Sequence, residues 1–378
     1  MNRQLYKRLG DYIREVNVRN RELKVTDLLG VSISKEFIPS IANTIGTDMS
    51  AYKIVKRGQF AYGPVTSRNG DKVSIALLNG VDEAIISQAY TVFEILDHKQ
   101  LLPEYLMMWF RRSEFDRYAR FHSHGSAREV FDWEELSDVM LPIPSITRQR
   151  EIVAEYETLT HRISINEQMI QNLESTAQTL FRKMFVDGID KENLPDGWRM
   201  GMLTEIATYV NGTACQKYET KEKEYFPVLK IRELTQGYCD QNSDHVDTSI
   251  PHDFIIKDGD VIFSWSATLF IDIWCGGKCA LNQHLFKVNS KKYPKWLYYL
   301  WTQNHIADWK RLISAKATSM GHIKREDLEA ACVIIPSDYS LEELNIEMYP
   351  IFDLYILKKK ENLKLTELQS LLLAKMGQ

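Results

Sequence analysis

From Ile152 the apolar positions fall alternately four and three residues apart: Ile152, Tyr156, Leu159, Ile163, Asn166, Ile170, Leu173, Ala177, Leu180 and Met184. A mean spacing of 3.5, held for nearly five heptads, predicts a coiled-coil helix rather than a helix lying on a globular core, whose stripe has period 3.6 and is wider. At 1.5 Å per residue this segment makes a rod of roughly 50 Å. Adding 192 to each number gives a second seam: Leu344, Met348, Ile351, Tyr355, Lys358, Asn362, Leu365, Gln369, Leu372 and Met376. Asn166 and Lys358 occupy matching seam positions, where a polar residue fixes register at some cost in stability. The second helix also carries Leu354, Ile356, Leu357, Leu363, Leu368 and Leu371. Its apolar surface is wider, suited to a third body as well as to its partner.

The same offset runs through the rest of the chain. Asp132-Trp-Glu-Glu-Leu136 falls on Lys324-Arg-Glu-Asp-Leu328, and Val139-Met-Leu-Pro-Ile-Pro144 falls near Val333-Ile-Ile-Pro336. Leu102-Pro-Glu-Tyr-Leu106 meets Tyr293-Pro-Lys-Trp-Leu297 at offset 191, and Ile54-Val-Lys-Arg-Gly58 meets Ile255-Ile-Lys-Asp-Gly259 at 201. Fixed-offset similarity is the mark of an internal repeat. Each copy shows a strand-rich region punctuated by Gly and Asn, a helix opening on proline (Pro103 to Phe121, Pro294 to Ile313), a proline-bounded apolar strand and a long helix. The expected fold class is α+β: two tandem α+β domains separated by two long helices. The helices most simply form an antiparallel coiled coil with a globular unit at each end; separate packing is the alternative. The expected boundaries are 1–147, 148–188, 189–337 and 338–378.

Composition adds limits. The chain has 378 residues and a formal net charge of −4, which excludes a uniformly basic nucleic-acid binder but not local basic stripes. Five cysteines, an odd number confined to the second half, do not resemble a disulfide framework and suit a reducing cytoplasm. The charged N-terminal segment does not read as a signal peptide, and no apolar run approaches the roughly 18 residues of a membrane span. Phosphate-loop, dinucleotide, zinc-protease and nucleophile-elbow motifs are absent, as is Asn/Asp-Pro-Pro-Tyr/Phe. Pro195-Asp196 with Glu219-Thr-Lys221 fits a nuclease pattern only by forcing. Cys275-Gly-Gly-Lys-Cys279 with His284 offers three zinc ligands and no fourth, so buried thiols in a strand pair explain it better.

Positive charge gathers at one place in each copy. Arg111, Arg112, Arg117, Arg120 and Arg128 face only Glu114 and Asp116, and Lys310, Arg311, Lys316, Lys324 and Arg325 face no acid between Trp309 and Arg325. A solvated helix face is the ordinary meaning of one such run. Two at equivalent positions favour a duplex bound at two patches. A second shared feature is a glycine turn leading an apolar strand into a hydroxyl-rich loop, Arg57 to Arg68 and Asp258 to Thr268; a groove-entering loop and an ordinary hairpin tip fit it equally well.

On these residues the chain resembles the specificity subunits of type I DNA restriction-modification enzymes. Leu194-Pro-Asp-Gly-Trp198, Gly259-Asp-Val-Ile-Phe-Ser264, Gln88 and Gln283 at strand starts, the Pro-x-x-Leu helices, Leu141-Pro-Ile-Pro144 and the heptad helices carry the likeness, in order and twice over. The first copy departs from it, beginning at Tyr6-Lys-Arg-Leu-Gly10 with no Leu-Pro-x-Gly-Trp. The resemblance implies two target-recognition domains, each reading half of a bipartite, asymmetric site on double-stranded DNA. It implies a coiled coil that sets the unread spacer and docks two methyltransferase (modification) subunits, with restriction/translocase subunits joining them. The chain itself would be non-catalytic and hold no cofactor, with S-adenosylmethionine, ATP and Mg on the partners. A fused methyltransferase-nuclease partner and a protein-only interaction scaffold are the competing readings. The expected DNA contacts are Arg57, Ser67, Arg68, Arg117, Arg120, Ser126 and Arg128 in the first copy. In the second they are Ser264, Ser266, Thr268, Lys310, Arg311, Lys316, Ser319, Lys324 and Arg325.

Overall fold

A computed structural model describes residues 6–40, 46–67, 69–70, 72–125, 128–220, 224–315 and 322–377. Two compact units divide the chain: Met1–His161 with Thr366–Gln378, and Arg162–Leu365.

In the first unit the strands are β1 (Tyr6–Arg8), β2 (Ile13–Val16), β3 (Leu28–Val31), β4 (Phe37–Pro39), β5 (Lys53–Lys56), β6 (Phe60–Tyr62), β7 (Ile75–Leu77), β8 (Glu83–Ile86) and β9 (Thr91–Ile95). Helices α1 (Pro103–Phe110), α2 (Ser113–Phe121) and α3 (Trp133–Ser137), strand β10 (Met140–Pro142) and the long helix α4 (Ile146–Phe185), which belongs to the second unit from Arg162 on, follow. The sheets run β2-β9-β6-β7, β4-β3-β8-β5 and β1-β10. Stacked Phe60 and Phe93, with Phe110 edge-on to both, hold α1 against the first of these.

The second unit contains β11 (Arg199–Met202), α5 (Leu203–Ile206), β12 (Thr208–Asn211), β13 (Tyr225–Leu229), α6 (Ile231–Gln236), β14 (His245–Asp247), β15 (Ile255–Ile256), β16 (Val261–Ser264) and β17 (Phe270–Ile273). It continues through β18 (Cys279–Leu281), β19 (Leu285–Asn289), α7 (Lys295–Ala315), α8 (Arg325–Glu329), β20 (Cys332–Ile335) and the long helix α9 (Asp338–Lys375), which belongs to the first unit from Thr366 on. Its sheets run β12-β19-β16-β17, β14-β13-β18-β15 and β11-β20. Every strand thus has its counterpart ten strands later, with the same neighbours. The repeat read in the sequence is a repeat of topology.

Two departures are informative. The helix expected from Pro103 to Phe121 breaks at Arg111 and Arg112: Arg112 has extended backbone (φ −71, ψ 140) and its guanidinium lies 4.3 Å from the Trp109 ring. The equivalent stretch of the second unit, α7, is one unbroken helix. The missing Leu-Pro-x-Gly-Trp of the first copy is also compensated. Trp198 stacks on Phe185 and donates to Ser340 Oγ at 3.0 Å, whereas Tyr6, 192 residues earlier, donates its hydroxyl to the Gly377 carbonyl at 3.0 Å. Each copy therefore ties its opening strand to the end of a long helix.

The long helices pack together along the expected seams. All twenty seam positions are buried or half-buried. Within the second unit Arg162 meets Glu361, Asn166 meets Asn362, and Leu173 and Ala177 meet Ile351, Phe352 and Tyr355 around one small cavity. Rising numbers on α4 face falling numbers on α9, so the pair is antiparallel. Within the first unit Gln369 Nε2 donates to Thr160 Oγ1 at 2.7 Å, and Leu372 and Met376 join Ile152, Val153 and Tyr156 in the core. Pro350 lies inside α9 on its exposed face, where water can satisfy the carbonyl that loses its donor.

Candidate nucleic-acid interface

Helix α2 is amphipathic: Phe115, Asp116 and Ala119 face inward, and Arg117, Arg120 and Phe121 face out. Phe115 packs on Phe110 and Phe131, which fixes the helix's rotation. Asp116 is therefore no surface acid. It accepts from Lys35 Nζ at 2.6 Å and from the Val73 amide at 3.1 Å. Burial pulls the Lys35 ammonium below the ordinary lysine range, against the pull of Asp116. Arg112 is likewise buried beneath the surface, and Arg111 reaches the Tyr156 hydroxyl at 3.3 Å. Part of the charge run thus belongs to the core.

The loop after α2 is sewn to the loop after β6. His124 and Val130 exchange backbone hydrogen bonds at 3.0 and 2.9 Å, Val65 bridges Val130, the Thr66 amide donates to the Glu129 carbonyl at 3.0 Å, and Phe131 donates to Pro64 at 2.8 Å. Gly125 has φ +133, and a Cβ there would lie 2.2 Å from the Arg128 carbonyl oxygen, so the turn admits only glycine. His122 and His124 both approach Glu135, at 2.9 and 3.3 Å. This seam holds Ser67 and Arg128, which adjoin Thr66 and Glu129 in the chain, with Arg120, which pairs with Glu129; Arg117 lies one turn earlier on α2. Arg117 lies 3.6 Å from Glu114, and Arg120 pairs with Glu129. Arg128 is exposed and makes no ion pair among the described residues. Arg57 is not part of this group. It sits beyond the opposite end of β6, bound to Asp82 at 2.9 Å and to the Asn79 carbonyl at 2.7 Å. Arg68 and Ser126 lie outside the described residues.

The second unit repeats the seam. Ser266 bridges His322 and Ile323 donates to the Trp265 carbonyl at 2.9 Å, the counterparts of Val65 with Val130 and Phe131 with Pro64. Ser264 is corrected by this geometry: it is fully buried, its hydroxyl donating to the Ser266 carbonyl, and it presents no atom to a ligand. Ser266 Oγ lies 3.2 Å from His284 Nδ1, and Thr268 is exposed at the hairpin tip beside Ala267, whose φ is +55. Lys310, Arg311, Lys324 and Arg325 are all exposed; Arg311 lies 3.5 Å from Asp308 and Arg325 3.3 Å from Glu329. Lys316 and Ser319, like Lys221 of the forced nuclease pattern, lie outside the described residues.

Beside each seam is a groove that the sequence reading missed. In the second unit Thr208, Asn211, Trp265, His322, Lys324 and Arg325 line about 710 Å³ between β12 and α8. In the first, Arg8, Arg14, Glu15, Trp133 and Glu134 line about 410 Å³ between β2 and α3. The groove of the second unit combines cations with an indole and hydrogen-bonding groups and no carboxylate, a composition suited to phosphates and base edges, whereas in the first Glu15 and Glu134 offset Arg8 and Arg14, which pair with Asp138 and Glu94. The lining of each groove spans more than a hundred positions of the chain, so only the fold reveals it.

Among the described residues no group of three or more His, Cys, Asp or Glu is placed to hold a metal ion. Cys275 and Cys279 are free and buried, and burial pushes the Cys275 thiol up to about 11. No helix of the described residues is long and apolar enough to cross a membrane. On α9, Ile346, Leu357, Leu368 and Leu371 are exposed although the seam is covered.

Residues 195–368 match the family model described as the type I restriction modification DNA specificity domain. The chain is 23% identical over 303 residues, 75% of its length and 70% of the relative's, to the type I restriction enzyme MjaIX specificity subunit of Methanocaldococcus jannaschii. It is 28% identical over 149 residues, 39% of its length and 32% of the relative's, to the HindI specificity subunit of Haemophilus influenzae. Its fold resembles the crystal structure of a type I restriction-modification S subunit from M. genitalium, with TM-score 0.58 and 12% identity over 99% of this chain and 96% of that one.

Proposed function

We propose that this chain belongs to the family of type I restriction-modification specificity subunits and that its two α+β units are target-recognition domains, each reading one half of a bipartite, asymmetric DNA site. As in that family, its role is recognition and coordination rather than catalysis. The observation that supports two readers is the repeated seam: the same two loops are joined by equivalent backbone bonds in both units, and each presents exposed cations, Arg117, Arg120 and Arg128 in one and Lys310, Arg311, Lys324 and Arg325 in the other. The side chains at equivalent places differ, which suits an asymmetric site.

We assign the readers to 1–147 and 189–337 and the conserved helices to 148–188 and 338–378. The exposed leucines of α9 favour that helix as a docking face for two modification subunits, with restriction/translocase subunits joining the complex; S-adenosylmethionine, ATP and Mg then act on those partners, in the cytoplasm. The test is a genome-wide map of methylated adenines in the host with and without this gene. Loss of one split, asymmetric motif on deletion supports the proposal, and an unchanged map refutes it.

A further inference from the structure

Phe121, the last residue of α2, is 81% exposed, more than any other large apolar side chain among the described residues. One exposed apolar residue is ordinary on a protein surface. Three features set this one apart. First, the repeat preserves it: offset 191, which carries Pro103 onto Pro294, carries Phe121 onto Leu312 of α7, itself 47% exposed. Second, cations flank both, Arg117 and Arg120 in the first unit, Lys310 and Arg311 in the second. Third, Phe121 stands on a fixed base. Phe115 and Ala119 of the same helix are buried, and His122, the next residue, stacks on Tyr118 with ring centroids 4.1 Å apart while contacting Glu135. An apolar tip beside exposed cations, even with Arg117, Arg120 and Arg311 each near a carboxylate, matches a duplex, whose phosphates take the charges while an apolar side chain enters between base pairs and kinks the helix.

We propose that Phe121 and Leu312 are apolar wedges, each pressing into one base step of the half-site that its unit reads and kinking the duplex there. The inference rests on the recognition function proposed above. It goes beyond it by assigning an indirect component of specificity: sequences that unstack readily at the wedged step bind better, with no hydrogen bond to those bases.

The test uses the full chain assembled with its modification subunits, on duplexes carrying the site found by methylation mapping. Bending is read by energy transfer between end labels, and unstacking by 2-aminopurine placed at successive steps. The wild-type complex is expected to bend the duplex by about 20° or more and to brighten 2-aminopurine at one step per half. Phe121→Ala should abolish the brightening in one half only, reduce the bend and weaken binding about tenfold, while the salt dependence stays as it was; Phe121→Leu should retain most of the effect. Site-specific binding to an unkinked duplex overturns the wedges alone, as does a Phe121→Ala complex with bend and brightening intact. Loss of modification-subunit assembly by Phe121→Ala, with DNA distortion unchanged, overturns them in favour of a protein contact. Absence of any site-specific binding by wild type overturns the recognition proposal itself.

Discussion

Asn166 Nδ2 donates to Asn362 Oδ1 across the helix pair at 2.9 Å, and Asn362 returns a bond to the Ile163 carbonyl at 3.3 Å. Asn166 is fully buried. A buried polar pair in a mainly apolar seam costs desolvation, the more so because Asn166 Oδ1 has no hydrogen-bond partner among the described residues, but the two amides meet in one register only. Replacing both residues by leucine is expected to raise the thermal midpoint by about 2–4 °C per kcal/mol gained. It should also broaden the distance distribution between spin labels on the exposed Glu167 and Asp353. A sharper distribution in the double variant contradicts a register role.

Lys358, matched to Asn166 by the repeat, does not face it. It lies 2.7 Å from Glu361, which also lies 2.7 Å from Arg162. The hydrogen bonds from Arg162 and Lys358 hold the Glu361 carboxyl down to about 2. Its unfolded value is about 4.3. Because the folded pKa is the lower, this stabilisation is complete above about pH 4.3 and disappears as pH falls through about 2. Glu361→Gln should therefore melt below wild type at pH 7, with the gap closing between those two values in a pH series of melting curves. A gap independent of pH over that window refutes the assignment.

The neighbouring residues Asp116 and Arg117 should respond oppositely to truncation. Asp116→Ala leaves the Lys35 ammonium, 6% exposed, without its counter-ion and is expected to cost about 3–5 kcal/mol in urea unfolding. Arg117→Ala, at the surface, should stay within about 0.5 kcal/mol. Equal losses would contradict the inward rotation of α2.

The repeat and the heptads were legible because both are periodic, and periodicity survives without knowledge of contacts. It carried the twin topology and the covered seams. Individual side chains were harder to read, since the run from Arg111 to Arg128 counts charges without knowing which face each occupies. Asp116 and Arg112 turn inward, Arg57 lies at the wrong end of β6, and Ser264 is sealed under its own hairpin. The grooves at β2 and β12 were invisible for another reason: each is built by segments that together span more than a hundred residues.

The most direct test of two separate readers is a hydroxyl-radical footprint of the assembled complex on its methylated site, repeated with Arg128→Ala and with Arg325→Ala. Two protected patches are predicted, with Arg128→Ala thinning one, Arg325→Ala thinning the other, and each variant lowering the salt slope of binding by about one. A single patch, or two variants that thin both patches alike, would contradict the account.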